Sequence, residues 1–118
     1  MSTNNKLTDL LDTLIVQTKV WGDALEKGNS KLANKKDNEA IKTIEAIRMY
    51  GDLGQKALLE LIDNEHKGVQ FWVASYSMRY SLERALEVLN LLSEGQGAIA
   101  LSAKMMLKLY YSGELNIP

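Results

Sequence analysis

The chain has 118 residues, of which 46% are hydrophobic and 25% are charged, so it resembles a globular protein and neither a disordered nor a membrane-embedded one. Its length fits one domain, and we expect a single helical domain over residues 1–118. The net charge of -1 excludes a molecule built as a whole to grip nucleic acid or anionic lipid, and the absence of cysteine excludes disulfides and thiolate metal sites.

The first apolar segment, residues 7–25, carries polar side chains such as Asp9, Asp12 and Lys19, which a signal peptide or a membrane span would not tolerate. We therefore predict a cytoplasmic protein with no membrane partner. The apolar residues recur every three or four positions, which predicts an amphipathic helix that ends near Gly28.

A second helix is predicted from a cap at Ser30 to about Tyr50, because a serine hydroxyl can bond the free amides of a first helical turn. Asp52 followed by Gln55 resembles a capping box, and this predicts a short third helix that ends near Asn64.

The remaining pattern predicts a fourth helix from Gly68 to Tyr80, a fifth capped by Ser81 with Leu82 in its buried stripe, and a sixth between Gly97 and about Leu109. No stretch alternates with period two. The predicted fold class is therefore all-α, with about six helices.

Two shifts of the sequence suggest an internal repeat. A shift of 28 positions places Ile44 on Trp72 and Ala46 on Ala74, and a shift of 29 places Trp72 on Leu101. Helical hairpins that stack and share one core would bury Ile44, Trp72 and Leu101 in equivalent positions. The alternative is chance matching in a helical chain rich in alanine and leucine.

The run Val69–Leu89 resembles a HEAT repeat, while Ala24, Gly28 and residues 33–35 are similar to the first hairpin of an uncharacterised bacterial family of short HEAT-like proteins. The resemblance covers residues 7–109. It implies stacked antiparallel helical hairpins in a right-handed HEAT/armadillo-like solenoid that serves as a protein-binding scaffold. Small proteins of this appearance sometimes act in bacteria as immunity proteins that block a toxin.

No motif for catalysis, a cofactor or a metal is present. His66 is the only histidine, and residues 63–66 are interpreted as a solvated loop. The alternative is a small enzyme that uses carboxylates such as Asp52, Asp63 or Glu87 in a helical groove. The basic cluster in residues 27–36 lacks aromatic side chains, so nucleic acid is not the expected partner.

Phe71 and Trp72 point about 100° apart on a helix, so they cannot both face one core. The repeat assigns Trp72 to the core, which makes Phe71 a candidate surface anchor; the alternative is that Phe71 fills the space between neighbouring hairpins. Tyrosine and arginine dominate interface hot spots, and four of them fall near predicted helix ends. These further partner-binding candidates are Arg48, Tyr50, Arg79 and Tyr80.

From these features we expect a non-enzymatic protein-interaction module whose partner is another protein, with a toxin as the form that the resemblance implies. The third alternative is a structural module that forms homodimers, because an uncapped solenoid end exposes apolar surface.

Overall fold

The chain is all-helical, as predicted. A computed structural model describes the backbone of residues 3–118 and the side chains from residue 6 onward, and this part contains six α-helices, one 3-10 helix and no strand. The helices, in chain order, are α1 (Thr3–Glu26), α2 (Ser30–Arg48), α3 (Asp52–Leu59), the 3-10 helix (Glu60–Asp63), α4 (Lys67–Tyr76), α5 (Leu82–Ser93) and α6 (Ala98–Ser112).

None of the three predicted side-chain caps forms: Ser81 stands at the N-cap position of α5, but its hydroxyl makes no cap bond, and the caps of α2 and α3 differ as well. Asn29 caps α2, because its Oδ1 accepts a hydrogen bond from the amide of Leu32 at 3.2 Å, and Ser30 is already helical. At α3, the N-cap position is held by Gly51, with φ +61°, which has no side chain to cap the helix. The Gln55 side chain turns instead to Arg48, which removes it from the predicted capping box.

Helix lengths also differ from the prediction. The fourth helix ends at Tyr76, and a turn of residues 77–80 leads into α5. The third ends at Leu59 and continues as the 3-10 helix. In contrast, α1 runs unbroken through Gly22, which lies close to Gly68 of α4.

Glycines bring α1 and α4 close together. A Cβ built on Gly68 would lie 2.5 Å from the carbonyl oxygen of Thr18, and one built on Gly22 would lie 3.1 Å from the Cα of Gly68. Next to this crossing, Trp21 stacks on Phe71 with the ring centroids 5.5 Å apart and meets Trp72 edge to face at 5.7 Å. These contacts bury the first half of α4 against α1.

The core lies around α1 and α4. α1 forms a hairpin with α2 and also contacts α4 and α6, whereas α4 packs against α5 and the 3-10 helix as well. The radius of gyration is 13.7 Å, close to the roughly 13.5 Å expected for a compact domain of this length. Within residues 3–118, none of the helices has the length and apolar character needed to cross a bilayer.

The predicted equivalence of Ile44, Trp72 and Leu101 is wrong at Leu101. Ile44 and Trp72 are 1% and 4% exposed, but Leu101 is 58% exposed. The reason is the face that α6 buries: Ile99, Ala103 and Leu107 follow one another at a spacing of four, and Leu101 lies on the opposite side of the helix. The 28-residue equivalence of α2 and α4 therefore does not extend into α6.

Candidate functional site

Two turns, between α2 and α3 and between α4 and α5, form a cleft of about 370 Å³. We call it the arginine cleft; its lining residues are Arg48, Gly51, Asp52, Gln55 and Arg79. It brings together two of the residues predicted to bind a partner, which are 31 positions apart in the sequence.

Arg48 is held in the cleft by three contacts. Its Nε donates to Gln55 Oε1 at 3.2 Å, its Nη2 donates to the carbonyl of Tyr76 at 3.0 Å, and its guanidinium lies 5.3 Å from the centroid of the Tyr76 ring. Burial, with a smaller effect of Arg79, lowers the pKa of Arg48, but an arginine remains charged at neutral pH. Its Nη1 makes no hydrogen bond to any residue from 6 to 118.

Arg79 is held by a backbone carbonyl of the segment that follows α6. Its Nε and Nη2 both donate to the carbonyl of Ile117, at 3.0 and 2.8 Å, and its Nη1 likewise makes no hydrogen bond within the described part of the chain. Neither Arg48 nor Arg79 forms an ion pair with a described carboxylate. The third arginine, Arg84, bonds two, those of Asp63 and Glu87.

Large apolar side chains are exposed in these two turns and in the first turns of the helices that follow them. Met49 is 86% exposed, and Leu53, Tyr80 and Leu82 are exposed as well. We call these four residues the apolar rim. Three of these residues directly follow a lining residue of the arginine cleft in the sequence, so charged and apolar groups lie close together along this part of the chain, which is the composition of protein interfaces.

The structure places the other candidates differently. Tyr80 belongs to the apolar rim, Tyr50 is half-buried against the core, and Phe71 is half-buried and stacked on Trp21. Phe71 therefore fills the space between α1 and α4, which is the second of its two predicted roles.

Sequence reasoning missed three members of this surface. Leu82 was assigned to the buried stripe of α5 but is exposed, because the helix buries Ala85, Val88 and Leu89 instead. Met49 and Leu53 carried no periodic signal of their own. Their positions on either side of Gly51, which indicates a turn, were the only sequence signal that these side chains are exposed.

Another cleft, of about 480 Å³, lies elsewhere, and its lining residues are Lys19, Asp63, Asn64, Glu65 and His66. His66 Nδ1 accepts a hydrogen bond from the amide of Gly68 at 2.9 Å, so the proton is on Nε2, which donates to Asp23 Oδ1 at 2.9 Å. Both ring nitrogens are thus used to cap α4 and to tie it to α1. Residues 64–66 form a loop after the 3-10 helix, with Glu65 exposed, as predicted, and the His66 ring in this loop also anchors α4 to α1.

Replacing His66 with alanine should lower the free energy of unfolding by about 1 kcal/mol, because α4 loses its N-terminal cap. His66→Asn should recover most of that loss, since asparagine is among the best N-cap residues. Urea titration followed by circular dichroism measures both variants. Equal destabilisation in the two would show that the cap contributes nothing.

The carboxylates of the enzyme alternative do not share one groove. Asp63 and Glu87 both bond Arg84, whereas Asp52 lies in the arginine cleft. Among the side chains from residue 6 to 118, no three histidine or acidic groups come together in a way that could hold a metal ion.

Asp37, on α2, is partly buried, and this burial raises the pKa of its carboxyl group. Because the pKa of Asp37 is higher in the folded than in the unfolded state, its ionised carboxylate lowers the stability at neutral pH. This loss disappears as the pH falls below the ordinary pKa of an aspartate, where the group is protonated in both states. Asp37→Asn should therefore stabilise the protein at pH 7 by no more than about 0.5 kcal/mol, since water screens a partly exposed group. Thermal unfolding at pH 7 and pH 3 checks this, and an equal gain at both values would contradict it.

Comparisons with protein-family models, curated proteins and solved structures gave no match to this chain. Its function is therefore argued from the geometry of the arginine cleft and the apolar rim.

Proposed function

We propose that the chain is a non-enzymatic protein-interaction module, and that the arginine cleft and the apolar rim together form its partner-binding face. One observation carries this proposal: Arg48 and Arg79 line a single cleft without bonding a carboxylate, whereas Arg84 on the same molecule bonds two. Two arginines in a cleft with only Asp52 leave one positive charge without a counter-charge, and a partner can supply it.

The two arginines are also fixed before any partner binds. Each donates two hydrogen bonds to protein oxygens, and the Tyr76 ring supports Arg48. A side chain that is already ordered loses less conformational entropy on binding. The apolar rim would add buried area around the cleft, as the residues surrounding an interface hot spot do.

The finer form of this proposal is a short right-handed HEAT-like solenoid that neutralises a bacterial toxin. The α1–α2 and α5–α6 hairpins and the 28-residue spacing of Ile44 and Trp72 favour the solenoid, while the exposure of Leu101 counts against extending the repeat through α6. The sequence resemblance is what supports the toxin as partner. Rescue of toxin-treated cells by co-expression of this chain tests that step.

Site-specific photo-crosslinking in the native host tests the proposed face. A benzophenone amino acid replaces Tyr80 in the apolar rim or, as the matched control, the exposed Tyr111 on α6. Position 80 should give a discrete adduct with another protein, and Arg79→Glu should abolish it. An adduct from position 111 alone, or one that is insensitive to Arg79→Glu, would refute the assignment of this face.

Self-association is the second candidate function, and the outer face of α6 favours it. Leu101, Met105 and Leu109 recur every four residues on this helix and are all exposed. A second copy of the chain would cover them, and the Tyr111 crosslink would then have twice the mass of the 13.2 kDa chain. Sedimentation velocity across a dilution series, with Leu101→Lys as the disrupting variant, measures it directly.

A further inference from the structure

We infer that the arginine cleft is a carboxylate-binding site, and that its ligand is the aspartate or glutamate side chain of a partner segment with apolar residues on either side. This inference rests on the proposed function and specifies its partner. It identifies the group that the arginines bond and the kind of sequence that carries it.

The charge in the cleft matches one carboxylate. Arg48 and Arg79 contribute two positive charges and Asp52 contributes one negative charge, which leaves one positive charge to be neutralised. A phosphate group carries between about 1.5 and 2 negative charges at neutral pH, so it would leave an excess of negative charge beside Asp52. A carboxylate is therefore the better match.

The donors are suited to this ligand. A guanidinium has five N–H groups, and Arg48 and Arg79 each use two of them within the protein. The N–H groups that remain include both on each Nη1. Two planar guanidinium groups fixed in one cleft can bond the two oxygens of a carboxylate with charge-assisted hydrogen bonds, which are about twice as strong as neutral ones.

The C-terminal segment of the chain already occupies one edge of Arg79 with a neutral oxygen. After α6, residues 114–118 leave the helix, and the carbonyl of Ile117 accepts both hydrogen bonds from Arg79. Leu115 and Ile117 pack against the core in the same segment. A non-helical segment with apolar side chains therefore already presents an oxygen to one edge of this arginine, and a partner segment would present its carboxylate to the other edge.

NMR titration tests the inference with two capped five-residue peptides, one with a central aspartate flanked by leucine and tyrosine, the other with asparagine in its place. The Nε–H signals of the three arginines are followed, and Arg84 is the internal control. The aspartate peptide should shift the signals of Arg48 and Arg79 but not of Arg84, with a Kd on the order of 1 mM. The asparagine peptide should bind at least about tenfold more weakly, because it lacks the charge-assisted bonds.

A substitution that keeps the charge separates geometry from electrostatics. Arg79→Lys should weaken binding of the aspartate peptide about tenfold, because an ammonium cannot replace the planar fork, whereas Arg84→Lys should leave it unchanged. Inorganic phosphate at the same concentration is the competing probe.

Three results would overturn the carboxylate site: equal binding of the two peptides, tighter binding of phosphate, or no shift of Arg48 and Arg79 at about 10 mM peptide. If a Tyr80 crosslink persists under any of these results, the binding face stands and only its ligand is wrong. If that crosslink is absent, the proposed function fails.

Discussion

Replacing Gly54 with alanine is expected to lower the free energy of unfolding by about 2–3 kcal/mol, although alanine is the better helix former by about 1 kcal/mol. The reason is steric. A Cβ at position 54 would lie 2.0 Å from the carbonyl oxygen of Ile47 and 3.0 Å from its carbon, and a backbone carbonyl cannot rotate away as a side chain can. The end of α2 and the start of α3 would have to separate. Because Arg48 and Gln55 adjoin this contact, the arginine cleft would widen with it.

Gly95→Ala is the matched control. The nearest atom to a Cβ at position 95 is the carbonyl oxygen of Leu92 at 3.4 Å, which is ordinary van der Waals contact. Its effect should stay within about 0.5 kcal/mol, as for most surface substitutions. Guanidinium titration of both variants measures the difference, and similar stabilities for Gly54→Ala and Gly95→Ala would show that the tight contact does not hold α3 in place.

Gly68→Ala is expected to destabilise the protein by about 2 kcal/mol, because its Cβ would lie 2.5 Å from the carbonyl oxygen of Thr18 at the α1–α4 crossing. Gly22→Ala tests the other side of the same crossing. There the nearest atoms are His66 Cε1 at 3.0 Å, Gly68 Cα at 3.1 Å and Ile99 Cδ1 at 3.2 Å, so every approach is longer than the 2.5 Å at Gly68, and the end of the Ile99 side chain can shift.

Gly22→Ala should therefore cost less than Gly68→Ala, and the helix propensity of alanine in the middle of α1 offsets part of its cost. Differential scanning calorimetry of the two variants gives the order of their stabilities. The reverse order, with Gly22→Ala the less stable, would mean that the His66 and Ile99 side chains are more rigid than the Thr18 backbone.

The helices themselves could be predicted from the sequence, but several of their ends could not. Apolar residues at a spacing of three or four directly indicate a buried helical face, and this identifies all six α-helices. The ends depend on side-chain hydrogen bonds that the apolar pattern does not encode. His66 caps α4 while it bonds Asp23, 43 positions away, and Gln55 bonds Arg48 instead of capping α3.

The repeat misled at Leu101 for a related reason. Matching Ala74 with Ala103 places Trp72 and Leu101 at the same angle from a buried alanine, but α4 is buried on more than one side, whereas α6 buries only one face. Ile99 and Leu107 set the buried face of α6, and Leu101 lies opposite them.

Residue type alone identified some members of the candidate site, but only the fold shows which of them lie together. Arg48, Arg79 and Tyr80 are the residue types expected at interfaces, placed near helix ends by the sequence pattern. The convergence of Arg48 and Arg79 with Asp52 in one cleft depends on how the α2–α3 and α4–α5 turns pack, which no local pattern encodes.

The most direct test of the binding face uses the partner protein that the Tyr80 crosslink identifies. That protein is purified in its free form, and its affinity is measured for the Arg79→Ala and Arg84→Ala variants. Both variants remove an arginine, but only Arg79 lines the arginine cleft. Isothermal titration calorimetry should show a loss of at least about 30-fold for Arg79→Ala, the effect of removing a hot-spot residue, and a change within about twofold for Arg84→Ala. Equal affinities for the two variants would contradict the account.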